Sequence, residues 1–418
     1  MKRLLFFLGL IIPLELVFFL PKEQAAMNEP RFWSVEAIDT MKYSRDPSRE
    51  KLQDPSFDLI IAKQVQDIAK IGATHVAIAT PYDDEFLPIL KRWVEAARRN
   101  NLHVWFRGNW SGWEGWFGYL KINRAEHSNK TQEFILKHAE LFENGDIFTG
   151  CPECENGGPG DPRRSGAGDV QAYRQFLIDE HNLMTDAFKR IRKNVNVDYN
   201  SMNGDVARLV MDRKTTKALG GTVVIDHYVR TPEQLVKDVQ EIAQASHGNM
   251  ILGEFGAPIL DINGNMTEDE QAAWIKSSLE HLLTVPELTG VNYWVNLGGS
   301  TSIYNQDGTS RKAVAILSSF YHPTLQALRI INPLQEHIGN AQVSTLDRTY
   351  TARTDVTTVP FVQQGQRAIV SAPGYSTKYI TLSAPQEQGQ NTLLVVLEPT
   401  EENVLYVFKR LLKFLFRL

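Results

Sequence analysis

Two cysteines in 418 residues are too few for a disulfide scaffold. Lys and Arg (44) do not outnumber Asp and Glu (49), and the net charge of −5 leaves no basic surplus, so no nucleic-acid partner is expected for the main body. No glycine-rich phosphate fingerprint follows the first apolar run, which argues against a doubly wound nucleotide-binding sheet. Cys151-Pro152-Glu153-Cys154 has no second pair to complete a zinc site, and it does not open a helix in a thioredoxin-like unit. No cofactor or metal is implied. What remains is ordinary for a folded protein, 43% hydrophobic and 22% charged, and long enough for one large domain plus a small one.

The chain opens with Lys2 and Arg3 ahead of an apolar run from Leu4 to Leu20, broken by Pro13 and Glu15 and followed by Ala25 and Ala26. Residues 1–27 therefore have the pattern of an export signal. Gln24 stands where a small residue is usual before a cut, so an uncleaved anchor is the alternative, at the cost of placing Glu15 in a bilayer. The expectation is an exported protein, either secreted or held at the cell surface or membrane.

From Arg31 to Pro323 short apolar runs alternate with longer amphipathic stretches. Strands are expected at Phe32–Ala37, His75–Ala79, His103–Arg107, Asp146–Gly150, Val195–Tyr199, Val223–Asp226, Met250–Gly253 and Gly290–Trp294. Helical periodicity lies between them, as in Phe86-x-x-Ile89-Leu90-x-x-Trp93-Val94, and the last helix is expected over Arg311–Leu328. Eight strands with interleaved helices fit an α/β fold, a (β/α)₈ TIM barrel over residues 28–330. Residues 331–340 read as a linker. The period then changes to two, and residues 341–400 read as a small all-β sandwich. Residues 401–418 form a basic amphipathic tail in which Lys409, Arg410, Lys413 and Arg417 alternate with Leu, Phe and Val. It is too short and too charged to span a bilayer, which needs about 20 apolar residues. It either lies in a membrane interface or packs on the protein body.

In a (β/α)₈ barrel the chemistry sits just past the strands. Strand three leads into Arg107, Asn109, Trp110, Trp113 and Trp116. Strand four leads into Cys151-Pro152-Glu153-Cys154-Glu155-Asn156. Asn200, Asn203 and Asp205 follow strand five, Asp226-His227-Tyr228 ends strand six, Glu254 ends strand seven, and Trp294 and Asn296 end strand eight. Carboxylates at strands four and seven face each other across the mouth, the arrangement glycoside hydrolysis requires. Aromatic walls such as Trp110, Trp113 and Trp294 suit the apolar faces of sugar rings. Each residue also has a structural reading. Glu254 could pair with Arg107, the tryptophans could be barrel packing (Trp105, within a strand, above all), and His227 could be a core histidine.

Gly253-Glu254-Phe255-Gly256-Ala257-Pro258 after strand seven, with Tyr293-Trp294 at strand eight, resembles the clan of retaining (β/α)₈ glycoside hydrolases that includes the family 5 cellulases and mannanases. The resemblance implies Glu254 as nucleophile and a strand-four glutamate as acid/base. The usual Asn-Glu-Pro is replaced by Pro152-Glu153-Cys154. Glu153 falls on the acid/base position, and Glu155, two residues on, is the alternative. Arg107, Asn109, Trp110, Trp113, Asn156, Asn203, Asp226, His227, Tyr228 and Trp294 would bind substrate or hold the carboxylates, with Asn156 or Asn203 replacing the missing asparagine and Tyr228 bonding Glu254. The implied partner is a β-linked poly- or oligosaccharide. The rival expectations are a non-catalytic sugar-binding barrel and a cell-surface scaffold. Residues 366–399 resemble carboxypeptidase-regulatory-like accessory domains. Cys151 and Cys154 form either a disulfide stiffening the wall around Glu153 or two reduced structural thiols.

Overall fold

Runs such as Val76-Ala77-Ile78 and Met250-Ile251-Leu252 show no alternation because a parallel strand is buried on both faces. In the computed structural model these runs and their counterparts form β1 Val35–Asp39, β2 His75–Ile78, β3 His103–Phe106, β4 Ile147–Phe148, β5 Ser201–Asn203, β6 Thr222–Asp226, β7 Asn249–Phe255 and β8 Leu288–Tyr293. The order is β4-β3-β2-β1-β8-β7-β6-β5, every pairing parallel, a curled TIM-like sheet. The structure describes residues 30–40, 45–164, 167–345, 348–383, 392–401 and 403–416, with only the backbone at 167, 168, 413 and 416. The expected export segment at 1–27 lies outside them. Residues Arg31–Leu418 form one compact unit.

The seam between β4 and β5 departs from expectation. Val195–Tyr199 was expected to be the fifth strand, but this stretch makes one parallel bridge, Ile147 to Asn196, and the ladder to β6 runs from Ser201–Asn203. Asn196 explains the change. Its backbone donates to Asp146 O and accepts from Phe148 N, each at 2.8 Å, while its side chain accepts from Asp198 N at 2.8 Å and diverts the next residues from the ladder. Inside the curl, Ala37, Ala77, Trp105, Ile147, Val224 and Ile251 pack in a core of their own. Trp105 donates its indole N–H to Thr149 Oγ1 at 2.9 Å, so it is a satisfied floor for the residues above it.

Most of the larger core lies between the sheet and its helices: α1 Phe57–Ile71, α2 Leu87–Arg99, α3 Arg124–Lys137, α4 Ala167–Arg190, α5 Gly204–Val210, α6 Pro232–Ser246, α7 Glu268–Leu282 and α8 Lys312–Tyr321. Their ends follow local chemistry. Thr231 caps α6 with Pro232 in its first turn. Thr267 and Glu270 form a reciprocal capping box on α7. The expected helix Arg311–Leu328 stops at Tyr321, because Pro323 cannot continue it.

The chain then enters β9 Thr324–Ile331, within the stretch expected to be helix and barrel. β9 pairs antiparallel with β12 Thr357–Phe361 and parallel with β15 Leu393–Val396. A second sheet holds β10 Gln342–Ser344, β11 Thr349–Thr351, β13 Arg367–Ser371 and β14 Lys378–Thr381, all antiparallel. Leu328, Ile330, Val343, Val359, Val370 and Val395 fill the space between the two sheets. The stretch expected to be a linker therefore begins within a strand and turns back on itself through an Ile331–His337 bridge.

Candidate active site

β6 and β7 end side by side, with a register shift that places Asp226 opposite Glu254 and skips Gly253. The glycine is required by the site. A Cβ there would lie 2.3 Å from Asp226 Oδ1. The Gly253 carbonyl accepts from Arg107 Nη1 and from Asn292 Nδ2. Glu254 thus sits near the strand end beside Arg107, and the missing side chain at 253 makes room for the Asp226 carboxylate.

Arg107, at the end of β3, is 2% exposed and stands over the Trp105 ring, 5.2 Å from its centroid. Its Nη2 donates to Glu254 Oε1 at 2.8 Å and to Asp226 Oδ2 at 3.0 Å, and Asp39 Oδ2 lies 3.6 Å from its Nε. Burial opposes the charge on Arg107, and Asp226, Glu254 and Asp39 more than offset that. The Tyr228 hydroxyl donates to Glu254 Oε2 at 2.6 Å. Burial and the Glu254 charge together push the Tyr228 hydroxyl well above the ordinary tyrosine range, so it remains a donor. Both Glu254 oxygens therefore carry a strong donor, while 15% of the side chain faces the mouth. Burial raises the Glu254 carboxyl, and Arg107 and Tyr228 pull it back.

Cys151 and Cys154 are joined, with Cα atoms 5.2 Å apart, and Glu153 lies between them. Glu153 has φ 46, left-handed for a residue with a Cβ, a conformation that persists only where the surroundings fix it. They do: the disulfide constrains the loop on both sides, Glu153 N–H donates to Ser201 O at 2.9 Å, and Asn156 N–H donates to Glu153 O at 2.8 Å. Asn156 Nδ2 donates to Glu153 Oε2 at 3.1 Å. Burial, then the charges of Asp226, Glu254 and Glu155, push the Glu153 carboxyl well above the usual range, with Arg107 opposing. Burial also pushes Asp226 up to about 7, against the pull of Arg107.

Glu155 is held differently. It is 2% exposed, accepts from Asn203 N at 2.7 Å and Asn203 Nδ2 at 2.8 Å through Oε1, and accepts from Tyr173 Oη at 3.2 Å through Oε2. Its lone pairs are committed to the wall. A cleft of about 510 Å³ opens on this side, lined by Lys121, Glu155, Asn156, Asp161, Arg163 and Arg164.

The structure brings Glu254, Arg107, Asp226, Tyr228, Glu153 and Asn156 together, with Trp294 edge-on to Tyr228 at 5.9 Å. It moves others out of the mouth. Trp113 is fully buried, donates to Cys154 O at 3.1 Å and stacks on Phe176, so it cannot lie against a sugar. Trp110 is also buried, bonded to Thr131 Oγ1. Asn109 is 1% exposed, its oxygen bonded to His127 Nε2 and Trp110 N. His227 turns to Asp238 Oδ2 at 2.8 Å, a support for α6. Asn203 serves Glu155 and Asn156 serves Glu153, so each is bonded to a strand-four glutamate. Asp39 was not anticipated. The expected first strand ended at Ala37, two residues short of the buried carboxylate that closes β1.

No protein-family model and no curated protein sequence matches the chain. Among solved structures it is similar to a GH5_18 protein from Streptomyces cattleya in complex with Manb1-4GlcNAc, at 14% identity over 71% of this chain and 84% of that one, TM-score 0.50. A structure of GH5_18 from the same organism in complex with GlcNAc gives 14% identity over 73% and 84%, TM-score 0.50. The chain also matches β-glucuronidase 2 of Bacteroides uniformis, at 11% identity over 87% of this chain, TM-score 0.45, and spans only 46% of that protein. At these identities the likeness is one of fold, and the fold is a TIM barrel.

Replacing Arg107 by Gln tests the cluster. Asp39, Asp226 and Glu254 would then crowd around a neutral amide, and stability at pH 7.5 should fall by about 3–5 kcal/mol in urea unfolding. A carboxyl whose folded pKa lies above its unfolded value costs stability at high pH, and acid relieves that cost. With Asp226 at about 7 in the native fold and higher still once the guanidinium is gone, its share of the deficit should be present above about pH 7 and shrink as pH falls through 7. A pH-independent deficit would contradict this reading.

Proposed function

We propose that the protein is a retaining glycoside hydrolase acting on a β-linked poly- or oligosaccharide. The observation that carries the proposal is the unequal treatment of two carboxyls at one barrel mouth. Glu254 receives a guanidinium and a hydroxyl, which favour its anion, whereas no hydrogen bond or ion pair described for Glu153 brings it a cation, and burial, with the neighbouring carboxylates, raises its pKa. Two acids whose surroundings push them apart suit an acid and a nucleophile.

Glu254 attacks the anomeric carbon while Glu153 gives its proton to the departing oxygen. The C1–O bond breaks as the Glu254–C1 bond forms, and the leaving group departs as an alcohol. Glu153, now a carboxylate, takes a proton from water, which attacks C1 and releases Glu254. Arg107 and Tyr228 hold the nucleophile and accept it back as leaving group. The cleft beside Asn156 lies on the acid's side, where the leaving sugar would depart. Glu155 fixes the wall through Asn203 and Tyr173. The C-terminal sheets act as an accessory domain of the carboxypeptidase-regulatory-like kind, and residues 1–27 export the protein.

A panel of aryl β-glycosides and soluble β-glucans and β-mannans, followed by proton NMR of the first product, tests the reading. The expected first product keeps the β configuration. Binding without turnover on every glycan would support the sugar-binding barrel instead, and an α first product would refute retention.

A further inference from the structure

The segment after the small domain forms α9 Val404–Phe416. Of the two arrangements open from sequence, a helix packed on the body should bury its apolar side chains. It does the opposite. Val404, Leu405, Phe408, Leu411, Phe414 and Leu415 are each more than half exposed, Phe414 at 80%. Tyr406 is the buried exception, at 7%. At roughly 100° per residue, Tyr406, Lys409 and Arg410 share one side of the helix, and the apolar residues sweep the remaining arc of roughly 200°.

The polar side is the one turned to the protein. Asn403 caps the helix through Tyr406 N at 3.0 Å and donates to Gly374 O at 3.0 Å, and Lys409 Nζ reaches Glu336 at 3.3 Å. The apolar arc faces outward. It is wider than the stripe of about 100° with which a helix ordinarily meets a protein core. Lys409 and Arg410 border it, both exposed, on a chain whose net charge is −5. Among the described residues no helix is long and apolar enough to cross a membrane.

We propose that α9 seats the protein on an anionic lipid surface, its apolar arc in the acyl boundary and its basic edge among the headgroups. Charge complementarity selects this occupant. Anionic headgroups match the exposed Arg410 at the edge of the arc, with Lys409 held beside it in its pair with Glu336, whereas a second copy of the helix would bring no counter-charge to Arg410. The protein body lies on the polar side of the helix, so the arc can enter a bilayer without the body blocking it. This proposal stands independently of the glycosidase reading.

The test uses the full chain carrying Leu411→Cys labelled with the environment-sensitive fluorophore NBD, the native cysteines being joined to each other. With vesicles of equimolar phosphatidylcholine and phosphatidylglycerol, emission should shift to the blue and be quenched by brominated lipid. Pure phosphatidylcholine should give a much weaker response. Arg410→Gln, at an exposed position, should weaken partition about 5-fold. The probe reports residue 411 itself, so attachment through another segment would not shift it. Unchanged emission at saturating anionic lipid would overturn the proposal. So would a blue shift that grows with protein concentration alone, which would assign the arc to a second copy of the chain.

Discussion

Glu254→Gln should lower kcat/KM by at least about 10⁴-fold on every substrate, whatever its leaving group. Gln keeps the shape and one acceptor, but no glycosyl-enzyme can form without the attacking charge. The loss should come without unfolding. Asp39, Asp226 and Glu254 crowd one guanidinium, and burial raises the Glu254 carboxyl, so removing its charge relieves a cost of the native fold. Urea unfolding of Glu254→Gln should therefore match or exceed wild type at pH 7.5, where the carboxylate cost is greatest, and the difference should fade in acid as that carboxyl protonates. Lost activity with equal loss of stability would point to a structural role.

Glu153→Gln should behave differently from one substrate to another. On a sugar leaving group that needs a proton, kcat/KM should drop by roughly 10²–10⁴-fold. On a dinitrophenyl glycoside, which departs without one, glycosylation should proceed and the glycosyl-enzyme should accumulate. Azide should then restore turnover by replacing activated water, giving a glycosyl azide of retained configuration. The pH profile provides a separate test. Because burial and the neighbouring carboxylates raise the Glu153 carboxyl, the wild-type protein should keep this proton to higher pH than an ordinary glutamate and lose activity as pH climbs through the raised pKa. The variant should lack this alkaline limb. Glu155→Gln separates the two strand-four acids. It leaves the donors Asn203 N–H, Asn203 Nδ2 and Tyr173 Oη around a partly mismatched amide, so it should cost about 1–3 kcal/mol of stability and show no azide rescue.

The barrel was legible because its strands are buried on both faces, so runs such as Val104-Trp105-Phe106 and Val223-Val224-Ile225 stand out against the periodicity of their helices. Elements failed where two signals overlapped. Thr324–Ile331 continues the apolar text of α8, and only Pro323 marks the change from helix to strand. Val195–Tyr199 alternates like a strand, yet the Asn196 side chain turns the chain out of the ladder.

In the site, Glu254, Arg107 and Tyr228 were readable from one rule, the positions just past the strands. The tryptophans misled because their loop is rich in glycine and reads as exposed. Trp113 is tucked under the acid loop, close enough that a Cβ on Gly158 would lie 2.1 Å from its ring. That glycine is the sequence trace of the packing, and only the fold brings the two together. The left-handed backbone of Glu153 leaves no trace of its own, apart from the two cysteines that bracket it.

Covalent trapping tests the central claim most directly. Wild-type protein is incubated with the 2,4-dinitrophenyl 2-deoxy-2-fluoro-β-glycoside of whichever sugar the panel identifies, then measured by intact mass and by peptide mapping. Fluorine at C2 slows both steps and the activated leaving group spares the first, so the glycosyl-enzyme should accumulate. The expected result is one fluoroglycosyl group per chain, attached to Glu254 and absent from Glu254→Gln. An adduct on another residue, or steady hydrolysis of the parent glycoside with no adduct formed, would contradict the assignment of Glu254 as nucleophile.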